Sequence, residues 1–290
     1  RGGHLVDHCP ECQGKKALSV AISGRTRVFT ILAHPSVNVT APLIYNHIFS
    51  RMGLDMVYIS HDVHPGAIAD TVRSFSGWVN LGGFNVTIPH KESVAALVDD
   101  LCGVSMKTGT VNTVVRHGNG SLSGYNTDGI GALGALGETR DAVCLVIGAG
   151  GAARAIVHAL LEGGARKVSI LNRSPYRTQQ LCGMFGTGPV HEYQGEPLEE
   201  VDVVVQATPV SERVPFDLEL ERFGKDTRIL ETVMRTTALS EKAESLGLQI
   251  VPGHAMLYYQ TKRNFELFTG IALPPRDLDE AFASVGYHRT

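Results

Sequence analysis

The chain has 290 residues, 43% of them hydrophobic, and 26 Lys and Arg stand against 29 Asp and Glu for a net charge of −3. This is enough apolar material for two cores, while balanced charge without long runs of one sign excludes the basic face that nucleic acid or an anionic membrane surface demands. No window approaches ~18 uninterrupted apolar residues and the start of the chain lacks the apolar centre of a signal peptide, so a cytoplasmic protein with no membrane partner is expected.

Residues 1–26 carry no periodicity and read as a disordered leader outside the fold. They hold Cys9-Pro10-Glu11-Cys12 with His4 and His8 upstream, the ligand types and spacing of half a zinc site or of a redox pair. The other half is missing, so no metal is expected. The five cysteines are an odd number, and Cys102, Cys144 and Cys182 lie singly in apolar or helical patterns, as buried reduced thiols do. From Arg27 strand and helix signals alternate. A strand over 28–33 is followed by a helix opened by Pro42 and stopped by Gly53, and then by a strand over 56–59. A helix over 65–75, a strand over 79–86 and a helix over 91–101 follow. This β-α-β-α order predicts an α/β domain with a mainly parallel sheet.

Between Gly109 and Tyr125 the texture changes. Asn119-Gly120, set between apolar stretches at 113–116 and 121–123, predicts an antiparallel hairpin. Asn126-Thr127-Asp128-Gly129 then leads into a small-residue helix over 130–136 that links two domains. The second domain reads as strand 143–147, helix 152–161, strand 167–171, helix 176–185 and strands 201–206, 228–230 and 249–251, a doubly wound βαβ series of Rossmann type. Helices over 256–268 and 278–285 return to the first domain. The expected division is therefore a substrate domain over 27–128 and 254–290, with a nucleotide domain over 129–253 inserted in it.

The apolar strand 143–147 breaks without a spacer into Gly148-Ala149-Gly150-Gly151-Ala152-Ala153. This is G-x-G-x-x-A: one glycine for the tight turn, one for backbone approach to a pyrophosphate, and a small residue for helix-on-strand packing. The pyrophosphate would sit on the free N–H groups at the helix start, around Gly151 and Ala152. A plain tight βα turn is the alternative. About 20 residues on, where an acidic residue would bind the ribose 2′-hydroxyl of NAD, the chain carries Asn172-Arg173-Ser174 and Arg177. Two guanidiniums and a hydroxyl suit a 2′-phosphate, which favours NADP over NAD; a solvated basic helix start is the other reading.

Three short polar segments hold the remaining chemistry: Asn85-Val86-Thr87-Ile88-Pro89-His90-Lys91, Val111-Asn112-Thr113 and Asn126-Thr127-Asp128. A lysine and an aspartate meeting in a cleft would form a pair able to move a proton to or from a substrate oxygen. By themselves the residues fit equally a helix-capping cluster beside a surface lysine, and His90, which lies where it could touch a substrate, reads rather as a solvent-facing helix start.

Gly83-Phe84-Asn85-Val86-Thr87-Ile88-Pro89-His90-Lys91 resembles the NVTxPxK signature of the shikimate dehydrogenase family. The likeness continues in order through Thr110-Val111-Asn112-Thr113, Gly124-Tyr125-Asn126-Thr127-Asp128-Gly129 and the glycine turn. Asn172-Arg173-Ser174 resembles the NRT motif of NADP-using members, and the segment from Gly253 to Gln260 resembles G-x-x-M-L-x-x-Q. The resemblance covers Arg27 to the C-terminus. It implies a catalytic pair of Lys91 and Asp128, with Thr87, Asn112 and Gln260 hydrogen-bonding the hydroxyls of a cyclic hydroxy acid, in a monomer or homodimer.

The likeness fails at two places. Where members carry S-x-S-P for the substrate carboxylate, the chain reads Val39-Thr40-Ala41-Pro42, leaving Thr40, Asn38 or Ser36 to compensate. A tyrosine that the family places five residues before the threonine at Thr237 is replaced by Thr232. The expected function is thus NADP-linked interconversion of a ring hydroxyl and a ketone, on shikimate or a related cyclic polyol such as quinate or an aminated analogue. A non-catalytic dinucleotide sensor is the reading from another class.

Overall fold

The computed structural model describes residues 21–186 and 188–288. The stretch holding Cys9 and Cys12 lies outside them. Thr26, which the sequence assigns to the leader, is fully buried and donates to Asp55 Oδ1 at 2.6 Å, so ordered chain begins before Arg27.

The first sheet collects β1 (Arg27–Ala33), β2 (Met56–Asp62), β3 (Leu81–Val86), β4 (Asp100–Leu101), β5 (Thr113–Arg116) and β6 (Leu122–Tyr125) in the order β2-β1-β3-β5-β6-β4. β1 pairs in parallel with both neighbours, whereas β5 runs antiparallel to β3 and to β6. Helices α1 (Ala41–Arg51), α2 (Ile68–Ser76), α3 (Lys91–Ala95) and α4 (Val104–Thr108) connect these strands. The period-two alternation of β1 serves two cores. Phe29 and Ile31 join Tyr45 and Phe49 of α1 on one face, and Leu32 joins Val72 and Phe75 of α2 on the other.

Helix α5 (Asp128–Leu136) leads into the second sheet, β7 (Val143–Ile147), β8 (Lys167–Leu171), β9 (Val190–Glu192), β10 (Val203–Gln206), β11 (Arg228–Glu231) and β12 (Gln249–Val251). All pairings are parallel, and the order β12-β11-β10-β7-β8-β9 is the doubly wound arrangement with its switch point between β7 and β10. Val143, Leu145 and Ile147 face one core and Cys144 and Val146 the other, which explains the unbroken apolar run. Helices α6 (Gly151–Glu162), α7 (Pro175–Gly183) and α8 (Ala238–Ser245) accompany this sheet. Helices α9 (Gly253–Thr269) and α10 (Pro275–Ser284) follow, and their Phe265, Phe268 and Leu278 complete the core beside Phe29 of the first sheet.

Three features differ from the sequence reading. The helix expected over 91–101 stops at Ala95, and Asp100–Leu101 pairs in parallel with β6. Its apolar spacing is helical, but Leu122 N–H donates to Asp99 Oδ2 at 2.7 Å and Asp99 N–H to Leu122 carbonyl at 2.9 Å, so pairing outweighs local periodicity. The hairpin forms around Gly120, whose φ of +91° requires glycine, but its second strand lies at Leu122–Tyr125. Cys144 is buried, while Cys102 and Cys182 are only half-buried. Among the described residues no helix is long and apolar enough to cross a membrane.

Candidate active site

The site lies where the carboxyl end of the first sheet meets the glycine turn of the second. β3 delivers Thr87 and, one short turn later, Lys91 at the start of α3. The hairpin segment delivers Asn112, and Asp128 opens α5. Lys91 Nζ lies 2.6 Å from Asp128 Oδ2. The other carboxylate oxygen accepts Asn112 Nδ2 at 3.0 Å and Gln260 Nε2, from α9, at 2.7 Å. The Asp128 backbone N–H is itself held by Asn126 Oδ1 at 2.9 Å. With its side chain 2% exposed and three donors on its carboxylate, Asp128 has one orientation available, whereas Lys91 keeps 17% exposure toward the cleft.

The structure thus brings Lys91, Asp128, Asn112 and Gln260 into one bonded cluster. Thr87 is half-buried beside it, its N–H donating to Leu32 carbonyl at 3.0 Å. Thr40 does not join: it sits at the N-cap of α1 without a side-chain capping bond, its carbonyl taking the N–H groups of Leu43 and Ile44 at 3.0 and 3.4 Å. His90 departs from expectation. It is 1% exposed, with Nε2 2.9 Å from Val63 carbonyl, and burial pushes its pKa down, so it is an internal tie between the segments that follow β2 and β3. Thr232, in place of the expected tyrosine, donates to Gln206 carbonyl at 2.7 Å and ties β11 to β10.

Beneath the pair runs a buried network that joins the three polar segments to Tyr58 and Asn264, two residues the sequence did not single out. Tyr58 donates to Asn85 Oδ1 at 2.7 Å, and Asn85 Nδ2 donates to Thr113 Oγ1 at 3.0 Å. Asn264 of α9 places its side-chain amide 2.8 Å from Thr113 Oγ1 and 2.9 Å from Thr127 Oγ1. Both hydroxyls also face Asn112 Oδ1, at 2.8 and 3.2 Å, and each has one proton to give. The proton count closes when Asn264 turns its NH2 toward both hydroxyls and they donate to Asn112. Asn112 then spends its own amide protons on Asp128 and Thr127, at 3.0 Å each. Asn264, at the helical spacing of Gln260 plus four, could have been found from that spacing alone.

The glycine turn abuts this cluster. A Cβ on Gly151 would lie 3.2 Å from Lys91 Cβ, and Thr110 Oγ1 donates to Gly151 carbonyl at 3.3 Å. Gly148 has φ +113° and would place a Cβ 3.0 Å from Ala207 carbonyl, whereas Gly150 faces open space. That opening, below the unpaired N–H groups that begin α6 around Gly151 and Ala152, with Ala149 buried behind, fits a pyrophosphate. At the end of β8, Asn172 Nδ2 donates to Ser174 carbonyl at 3.0 Å, and Ser174 Oγ caps α7 by accepting Arg177 N–H at 3.4 Å. Arg173 and Arg177 are exposed and form no ion pair among the described residues, leaving both guanidiniums for a phosphate. Arg154 of α6 reaches back to Glu92, beside Lys91, at 3.4 Å.

Residues 31–114 match the model of the shikimate dehydrogenase substrate-binding domain, and residues 132–234 that of shikimate/quinate 5-dehydrogenases. The NADP-dependent shikimate dehydrogenase of Rubrobacter xylanophilus is 38% identical over 86% of this chain and 93% of its own. Among solved structures, shikimate 5-dehydrogenase of Thermus thermophilus, in complex with NADP(H) and shikimate, superposes with a TM-score of 0.79 at 30% identity, over 89% of this chain and 99% of that one. A 5-ketofructose reductase of Gluconobacter superposes at 0.77 with 26% identity, over 91% and 100%.

Proposed function

As the chain belongs to the shikimate dehydrogenase family, we propose that it is an NADP-dependent oxidoreductase interconverting a ring hydroxyl and a ketone of shikimate or a related cyclic polyol. The observation that carries this reading is the Lys91–Asp128 contact of 2.6 Å, set against the glycine turn. NADP, when bound, supplies or accepts the hydride at the carbon bearing the oxygen. The residues of the chain handle the proton. In reduction the Lys91 ammonium gives a proton to the carbonyl oxygen as it becomes hydroxyl; in oxidation the amine takes that proton back. Asp128, pinned by Asn112 and Gln260, holds Nζ in place and offsets its charge through the cycle. Thr87 and the second amide proton of Gln260 are positioned to orient neighbouring hydroxyls.

Arg173 and Arg177 support NADP over NAD, through charge-assisted bonds to a 2′-phosphate. Gly148, Ala149, Gly150, Gly151 and Ala152 would cradle the pyrophosphate, with Asn172 and Ser174 shaping the loop below. A retained charge pair has no physical purpose in a sensor without turnover, which weighs against that alternative. The substrate is a diffusible small molecule and the enzyme a cytoplasmic monomer or homodimer. The test is reduction of NADP+ and NAD+ in the presence of shikimate, quinate and related cyclic polyols. Turnover with at least one of them, faster with NADP+ and lost in Lys91→Ala, is the expected result; dinucleotide binding without turnover on any of them would overturn it.

A further inference from the structure

We propose that the compound turned over at Lys91 carries no carboxylate, and is instead a neutral polyhydroxylated ketone and its alcohol. The inference rests on the assignment of Lys91 and Asp128 as the proton-transferring pair and narrows their substrate. The segments leaving the carboxyl ends of β1 and β3 are neighbours, because the strands pair in register at Leu32 and Val86 and His34 N–H donates to Ile88 carbonyl at 3.2 Å. The wall facing Thr87 and Lys91 is therefore built from residues 34–41.

That wall offers a carboxylate no free cation, and beyond His34 its polar side chains are those of Ser36, Asn38 and Thr40. Val39 packs into the core beside Phe49, and Ala41 is buried at the start of α1. Pro42 has no N–H, and the N–H groups of Leu43 and Ile44 already bond to Thr40 carbonyl. The Ser36 N–H is taken by Asp62 Oδ2 at 2.8 Å, and the Val39 N–H by Ser36 carbonyl at 3.0 Å. The first turn of α1 is thus largely spent as an anion site.

The charges point the same way. Lys91 is neutralised by Asp128, Glu92 is paired with Arg154, and the Asp62 carboxylate stands at the same rim against His34 Nδ1 at 2.8 Å. Burial disfavours the charged form of His90. An anionic ligand would meet no uncompensated cation there, whereas an uncharged hydroxyl needs only single donors and acceptors. The Thr87 and Thr40 hydroxyls, the second Gln260 proton and the remaining Lys91 N–H bonds provide these.

A matched pair differing only in this group tests the idea: shikimate and its methyl ester, each titrated into the enzyme saturated with NADP+ by calorimetry and assayed for NADP+ reduction. The ester is expected to bind at least tenfold more tightly than the acid. Val39→Ser/Ala41→Ser, or Val39→Ser alone, should shift the preference toward the acid by about tenfold or more, since each hydroxyl restores a bond to a charged acceptor. Preference of the parent for the acid, binding of neither compound at millimolar concentration, or an unmoved preference in the folded double variant overturns the inference. Tighter binding of the ester without turnover keeps it, and defeats instead the assignment of Lys91 and Asp128.

Discussion

Replacing Asp128 by asparagine keeps the shape of the side chain and removes its charge, which isolates what the carboxylate does. In the parent, its two oxygens accept Lys91 Nζ at 2.6 Å, Gln260 Nε2 at 2.7 Å and Asn112 Nδ2 at 3.0 Å. The amide has one oxygen and one NH2, so at least one of these three donors is left facing another donor. Removing one member of a fully buried ion pair costs roughly 3–5 kcal/mol. With Lys91 retaining 17% exposure, the lower end of that range applies. The proton-transfer step should slow by about 10²- to 10⁴-fold. Lys91→Met should lose activity to a similar degree. The double variant holds neither charge, so it should recover stability relative to Asp128→Asn and lose no more activity than the worse single change. Urea denaturation and steady-state NADPH oxidation read the two effects separately. A kcat within tenfold of the parent for Asp128→Asn, or additive losses in the double variant, would refute the assignment of a working pair.

Arg173→Ala/Arg177→Ala should raise KM for NADP+ by roughly 10- to 100-fold while changing that for NAD+ only a few-fold, as steady-state kinetics with both cofactors will report. Asn264→Ala removes one partner from each of the buried hydroxyls of Thr113 and Thr127, which keep Asn112, and should cost about 1–3 kcal/mol in urea denaturation. Because it reaches the substrate only through Asn112 and Asp128, it should lower kcat more than it raises KM. Glu231, 2% exposed at the end of β11, has its pKa raised by burial to about 7, although it accepts Val233 N–H and the Thr237 hydroxyl. A carboxyl with a raised folded-state pKa stabilises the fold fully below its unfolded value near 4.5 and loses that contribution as pH rises toward 7. The loss is up to about 3 kcal/mol. Thermal denaturation between pH 5 and 8 should show this decline in the parent and a flatter profile in Glu231→Gln.

Several parts of this molecule could be read from local chemistry. The strand 143–147 running directly into glycines named both a buried parallel strand and the tight glycine turn after it, because each depends on neighbouring residues alone. Asn119-Gly120 located a hairpin for the same reason. The helix over 91–101 failed where a local signal competed with a distant one: Val94, Leu97 and Val98 repeat at helical spacing, yet Asp99 and Leu122 tie the chain into a strand. His90 failed similarly, since the Val63 carbonyl it bonds lies in a distant segment, just past β2. Ser174 had two readings, and it serves as a helix cap beside two free guanidiniums.

The sequence by itself determined the order of most α/β elements, the glycine turn and the residue types of the candidate pair, because periodicity, turn chemistry and motif spacing act over a few residues. Only the tertiary structure decided that Lys91 and Asp128 meet, that Asn112 and Gln260 bond to Asp128, and that Asn264 supports Asn112 through Thr113 and Thr127. Those relations depend on hydrogen bonds and packing between segments up to 151 residues apart, and distances of that kind are set by the folded core rather than by any local pattern.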